Sequence, residues 1–299
     1  MGMGSWSGAS FFILGLTFLA TSCSGQASHP SSAKRMGGEA ALSRLLHRAQ
    51  VKNLDLDKRQ RARLLQLSRK LDCPCGSMAG SLEKCVQQCK RSPFAIRALA
   101  RWISDGHDND VAGIFYGDRY RPKDVAPLDL RQADCLGGAN VPVTVVVFSD
   151  YQCPGCAQAE ALSEKLWKER KKVLRLCHKH LPLRNIHPHA QMAAQAAVAA
   201  QMQGKGHRYH QMLFANQSDL TLTALRGYAK SAGLDLKRFD ADLVAQTTVN
   251  QVNGDMKDAE RLKLTGTPTY LVNGREMTDP LNYTGLLEWV DEAAAAATP

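Results

Sequence analysis

The chain has 299 residues, 44% of them apolar, which suffices for one large or two ordinary packed domains and excludes a wholly disordered protein. Its formal charge of +10 sits in one part: Ser24 to Lys123 holds 19 Lys or Arg against 9 Asp or Glu, whereas Asp124 to Pro299 holds 19 of each. The basic residues are spread along helical patterns without interleaved aromatics, which argues against nucleic acid as a partner and for a solvated face or one near anionic lipid headgroups.

In chain order, the apolar segment Phe11 to Ala20 is too short to span a bilayer comfortably and fits the core of an export signal. Ala20, Thr21 and Ser22 before Cys23 resemble a bacterial lipobox, which implies lipidation at Cys23 and a membrane anchor; secretion without a lipid is the alternative. Ala20 stands where the lipobox prefers Leu, and no Lys or Arg precedes the apolar core. Residues 1–23 are thus a signal or lipoprotein-type segment, and the small, Ser-rich residues 24–38 a flexible tether. Nine cysteines in an exported chain point to an oxidising compartment, the periplasm or cell envelope. If Cys23 carries lipid, an even set of eight remains.

Residues 39–118 read as a small all-α unit. "DKRQRARLLQLSRKL" places Leu64, Leu67 and Leu71 at helical spacing, and "SPFAIRALARWISDG" offers Ser92 as cap with Pro93 in the first turn. This unit carries Cys73, Cys75, Cys85 and Cys89. A C-P-C pair spans too few residues for an easy internal disulfide, so bridges from Cys73 and Cys75 to Cys85 and Cys89, in unassigned pairing, would staple two helices. A four-thiolate zinc site and a second redox centre are the alternatives. "RYRPKDVAP" then carries prolines and charges without periodicity, which puts a boundary near Arg119 to Pro127.

Beyond it, "VPVTVVVF" is a β-branched run suited to a buried strand, "CAQAEALSEKLWKER" an amphipathic helix and "KVLRLCHKHLPL" a second strand, which together make a parallel βαβ unit. Residues 187–264 return to helical patterns. "GTPTYLVNGREM" reads as two short strands joined at Asn273-Gly274, and a last helix covers about Tyr283 to Ala297. Cys135 and Cys177 are left open as a pair or as buried thiols. His178 and His180 alternate on a strand, His187 and His189 flank Pro188, and His207 and His210 share a helix face. No recognisable metal spacing joins them, so no metal is assigned. Met192, Met202 and Met212 are expected in the core of the helical segment.

The chemistry is expected at "FSDYQCPGCAQAE". Cys153 falls between a strand's end and a helix's first turn, where unpaired N–H groups and the positive end of the helix dipole favour a thiolate. Pro154 suits the opening helical position. Cys156, one turn later, is placed to attack a mixed disulfide on Cys153.

With "HPHAQMAAQAA", "HQMLFANQ", "SAGLDLKRF" and the Thr267-Pro268 step, this stretch resembles the DsbA-like thiol-disulfide oxidoreductases of the thioredoxin superfamily over about residues 127–297. The resemblance implies an α/β thioredoxin-like fold with an inserted helical subdomain at about 187–264, preceded here by the all-α cysteine-bearing domain. It implies a cis Pro268 against the cysteines, with Thr267 pairing with substrate and Pro154 and Gly155 beside it. It also implies cysteine-containing exported client proteins, a membrane or periplasmic redox partner, and no cofactor. Two positions depart from the family. Its frequent buried acid, six residues before the first cysteine, is Val147 here, so the resolving thiol's proton must move through water or another group. Gly155 replaces the His of the strong oxidants, and Thr267 resembles the isomerase branch. "RALARWISDGHDNDVAGIFYGDRY" faintly resembles CcmH-type cytochrome c maturation proteins, whose CxxC is a CxC here. Forming or exchanging disulfides is the first expectation; a reductase or isomerase for cytochrome c maturation or misfolded disulfides is the second, and a non-catalytic client-binding module the third.

Overall fold

The computed structural model describes residues 32–51, 54–76, 80–121, 125 and 127–297; residues 1–23, read as an export signal, and Cys23 with them, lie outside these. Five helices come first: α1 (Ser32–Arg48), α2 (Lys58–Lys70), α3 (Leu82–Cys85), α4 (Ser92–Ser104) and α5 (Asn109–Tyr120). They bury one core in which Leu45, Leu64, Leu82, Leu99 and Trp102 are essentially inaccessible. Asp57 opens α2 with a capping box, accepting from the Gln60 amide while the Gln60 side chain accepts from the Asp57 amide.

Three expectations change here. Helix α1 begins at Ser32, inside the stretch read as a tether. Ala33, Lys34, Arg35 and Met36 are strong helix formers, and they carry the helix through Gly37 and Gly38 into Glu39 and Ala40. Ser92 does not cap α4: Arg91 holds that position, and the Ser92 hydroxyl donates to the Cys89 carbonyl at 2.7 Å. Arg119 and Tyr120, assigned to the boundary, form the buried last turn of α5.

The remaining chain is built on a five-stranded sheet, β1 (Asp134–Leu136), β2 (Val143–Ser149), β3 (Leu174–His180), β4 (Thr269–Val272) and β5 (Arg275–Glu276), in the order β1-β3-β2-β4-β5. Only β2 and β3 run parallel, and α6 (Pro154–Arg170) makes their crossover. Asn273 and Gly274, both at positive φ, turn β4 into β5 as the Asn-Gly pair demands. Helices α7 (Ala190–Met202), α8 (Gly206–Ala215), α9 (Leu222–Ala232), α10 (Leu236–Leu243) and α11 (Gln246–Arg261) form the insertion, and α12 (Tyr283–Ala297) closes the chain. Alternation along the strands sends Val145, Val147, Leu174 and Leu176 toward α6 and α12. Val146, Phe148, Cys177 and Leu271 face the α11 side instead. Met192 and Met212 pack on the insertion's core, but Met202 is 42% exposed, because α7 ends there and the next turn leaves the core.

Candidate active site

The buried run of β2 ends at Ser149, and four residues later Cys153 caps α6 with Pro154 at the first helical position. Cys153 has extended backbone, its amide donates to the Asp150 carbonyl at 3.1 Å, and its carbonyl accepts the Cys156 amide at 3.0 Å. Its sulfur is half-buried and lies 3.5 Å from the Thr267 carbonyl oxygen, to which it donates. The Thr267–Pro268 peptide is cis. A Cβ on Gly155 would sit 3.4 Å from Pro268 Cδ and 3.8 Å from Cys153 Sγ, so Gly155 lies beside both the cis proline and the Cys153 thiol.

Cys156 differs. It is buried, and the Asp150 amide donates to its sulfur at 3.4 Å. Burial pushes its thiol up to about 12, against the opposing pull of that amide. One cysteine is therefore presented and the other held back protonated.

Residues not foreseen from the sequence shape the loop that leads from β2 into Cys153. The buried Asp150 carboxylate accepts from the Gln152 amide at 2.7 Å, the Leu183 amide at 2.8 Å and His187 Nδ1 at 2.7 Å. Gln217, just past α8, donates through one amide nitrogen to the carbonyls of Tyr151 at 2.8 Å and Cys153 at 2.9 Å. The insertion thus grips the backbone of the cysteine loop. Tyr151 is buried against Phe214, and its hydroxyl meets His210 Nδ1 at 2.9 Å. The sequence signal for Asp150 was its place at the strand's end; for Gln217 there was none, since it acts from 64 residues away. Val147 is buried beside Tyr270 in the sheet, with no acid in its place.

The other cysteines among the described residues are paired: Cys73 with Cys85, Cys75 with Cys89, and Cys135 with Cys177, with Cα separations of 6.0, 5.9 and 4.0 Å. Cys135 and Cys177 face each other directly in the β1–β3 register. In these bridges the sulfurs are not the thiolates a zinc site needs.

A family model described as thioredoxin matches residues 132–292. A thioredoxin-like oxidoreductase from Silicibacter pomeroyi is 29% identical with a TM-score of 0.51, covering 55% of this chain and 92% of that one. BdbD from Bacillus subtilis in its oxidised form, at 22% identity and a TM-score of 0.50 over 56% of this chain and 95% of its own, shares the fold. Among curated proteins, a Na(+)/H(+) antiporter NhaA 3 from Salinispora tropica is 38% identical over 173 residues, 58% of this chain. The match spans only about a quarter of that antiporter's length, 26%. The family match covers more than half of the chain and contains the parallel crossover, the helix start at Cys153 and the cis Pro268, and the chain belongs to the thioredoxin superfamily.

Proposed function

We propose that the protein is a thiol-disulfide oxidoreductase acting on cysteine-containing exported proteins through Cys153 and Cys156. The observation that carries this reading is the asymmetry of the two thiols: Cys153 is half-buried at a helix N-terminus, and Cys156 is buried and held protonated. The Cys153 thiolate attacks one sulfur of a client disulfide; the client S–S bond breaks, and the departing client thiolate takes a proton from water. Cys156 loses its proton and attacks Cys153 Sγ, which forms the Cys153–Cys156 disulfide and frees the second client thiol. The client gains two electrons and the pair loses them. Run in reverse, the oxidised pair delivers a disulfide, and a membrane or periplasmic redox partner resets it. Thr267 and Pro268 position the extended client chain beside Cys153. No cofactor enters either direction.

Three paired disulfides suit an oxidising envelope compartment, and lipidation at Cys23 would hold the protein at a bacterial membrane. In a Cys156→Ala variant, clients should accumulate as reducible adducts on Cys153, and Cys153→Ala should trap nothing. Equal adducts on both variants, or adducts on Cys75, would overturn the assignment. A reducing or isomerising role, serving misfolded disulfides or cytochrome c maturation, is the second reading, favoured by Gly155, which places no cation beside Cys153. The reduction potential of the pair decides between them: about −270 mV marks a reductant and about −120 mV a strong oxidant. Failure to turn over a small disulfide substrate would leave a client-binding module.

A further inference from the structure

Beneath the cysteine helix lies a second group of reactive side chains that thiol exchange does not use. Glu160 sits one turn after Cys156 on α6, His178 on β3 and His210 on α8. Glu160 Oε2 is 3.0 Å from His210 Nε2 and 3.8 Å from His178 Nε2, and the two imidazole centroids are 4.1 Å apart. One donor atom from each of the three falls within 4.8 Å of the others. We propose that Glu160, His178 and His210 bind a divalent transition-metal ion of the zinc class.

Three further observations support this site. The side chains of Glu160, His178 and His210 are only 10%, 6% and 2% exposed, so the group is enclosed. Both ring nitrogens of His178 lack a hydrogen-bond partner among the described residues, although a buried imidazole left without one is costly. A metal ion at Nε2 supplies a partner for one of the two nitrogens. On His210, Tyr151 occupies Nδ1 at 2.9 Å and leaves Nε2 turned to the Glu160 carboxylate, the support by which an outer group orients a ligating histidine.

The donor chemistry selects the ion. Two imidazoles and one carboxylate suit zinc and its neighbours, whereas calcium and magnesium call for oxygen donors. With metal–ligand bonds of about 2.1 Å, the edges of a tetrahedral site are about 3.4 Å, which falls between the two observed nitrogen–oxygen separations of 3.0 and 3.8 Å. An ion here would tie α6, β3 and α8 together, and so fix the cysteine helix to the insertion that grips its loop.

The test uses the full chain with the Cys153–Cys156 disulfide closed and any remaining thiol alkylated, so that sulfur cannot ligate. Cobalt(II) should bind at one ion per chain, with a ligand-field spectrum free of sulfur charge transfer, and zinc should displace it. Glu160→Gln, His178→Ala and His210→Ala should each weaken binding at least tenfold, while His207→Ala, which removes the partially exposed neighbour on Glu164, should leave it unchanged. Excess zinc should also raise the thermal midpoint of the unaltered protein, a readout that needs no variant. Absence of binding and of any midpoint rise in the unaltered protein would overturn the site. Binding that survives all three substitutions, or that is lost with His207, would overturn it too.

Discussion

Asp150 is the residue on which the cysteine loop turns. Its carboxylate accepts three hydrogen bonds, two of them from the backbone amides of Gln152 and Leu183, and its own amide points at Cys156. Replacing it by Ala removes a charged acceptor from buried donors, and we expect a loss of roughly 3 kcal/mol in urea unfolding of the reduced protein. A loss under about 1 kcal/mol would show that solvent reaches those donors. Cys156 carries a pH signature of its own. With its thiol pushed up to about 12, the thiolate fraction near pH 8 is on the order of 10⁻⁴. In a Cys153→Ala variant, which loses the smaller raising influence of Cys153 but keeps the burial that dominates, alkylation of Cys156 should still be slow near pH 8 and climb steeply toward alkaline pH, because the raised pKa leaves the reactive form to alkaline solution. Fast labelling near neutrality would refute the assigned roles. Gly155 offers the converse change. Gly155→His has room for its Cβ, 3.8 Å from Cys153 Sγ, and places a cation beside the Cys153 thiolate; the potential of the pair should shift toward the oxidants.

At the scale of elements, the sequence was legible wherever one segment contained the whole signal. The β-branched run of β2, the Pro154 start of α6 and the Asn273-Gly274 turn each follow from a few adjacent residues, and the structure has all three. What was not legible depends on partners far along the chain. Strand β1 has three half-buried residues and no alternation long enough to read, so the pairing of Cys135 with Cys177 was hidden until β3 supplied the register. Glu160, His178 and His210 share no spacing because they come from a helix, a strand and another helix. The bridges of the N-terminal helices were legible as a set but not as pairs. Cys75 and Cys89 close a loop of 14 residues, which in the chain-entropy account contributes about 3 kcal/mol. Replacing both by Ala should lower stability by that order without changing the rate of thiol exchange at Cys153. An equal loss of exchange would give these cysteines a part in the chemistry.

Across the whole molecule, the N-terminal helices are held to the thioredoxin-like part by buried ions. Glu292 on α12 accepts from Arg119 through Nε at 3.1 Å and a terminal nitrogen at 2.8 Å, from the Tyr120 hydroxyl at 3.1 Å and from Arg91 at 2.8 Å. Arg101 on α4 reaches Asp279 at 3.0 Å, and Asp279 also takes the Trp289 indole N–H at 2.6 Å. Arg119 is fully buried, with its guanidinium 4.6 Å from the Trp289 ring centre. Burial disfavours the charge on Arg119, and the carboxylates and Tyr120 around it outweigh that and raise its pKa further, so it stays ionised at every accessible pH. Such a group cannot neutralise itself when its partner is removed. Glu292→Ala should then cost about 3 to 5 kcal/mol, because a guanidinium is stranded in the core between α5 and α12. If the cost came only from lost mutual attraction, replacing both partners would cost as much as either single change. We expect less: the pair Arg119→Met and Glu292→Leu should lose less than Glu292→Ala alone, since two apolar chains can fill the space that two ions occupied. Urea unfolding of the two single variants and the double variant measures the coupling directly. Additive losses would mean that Arg119 and Glu292 act independently, and that the basic N-terminal helices are held to the thioredoxin-like part by something other than this ion network.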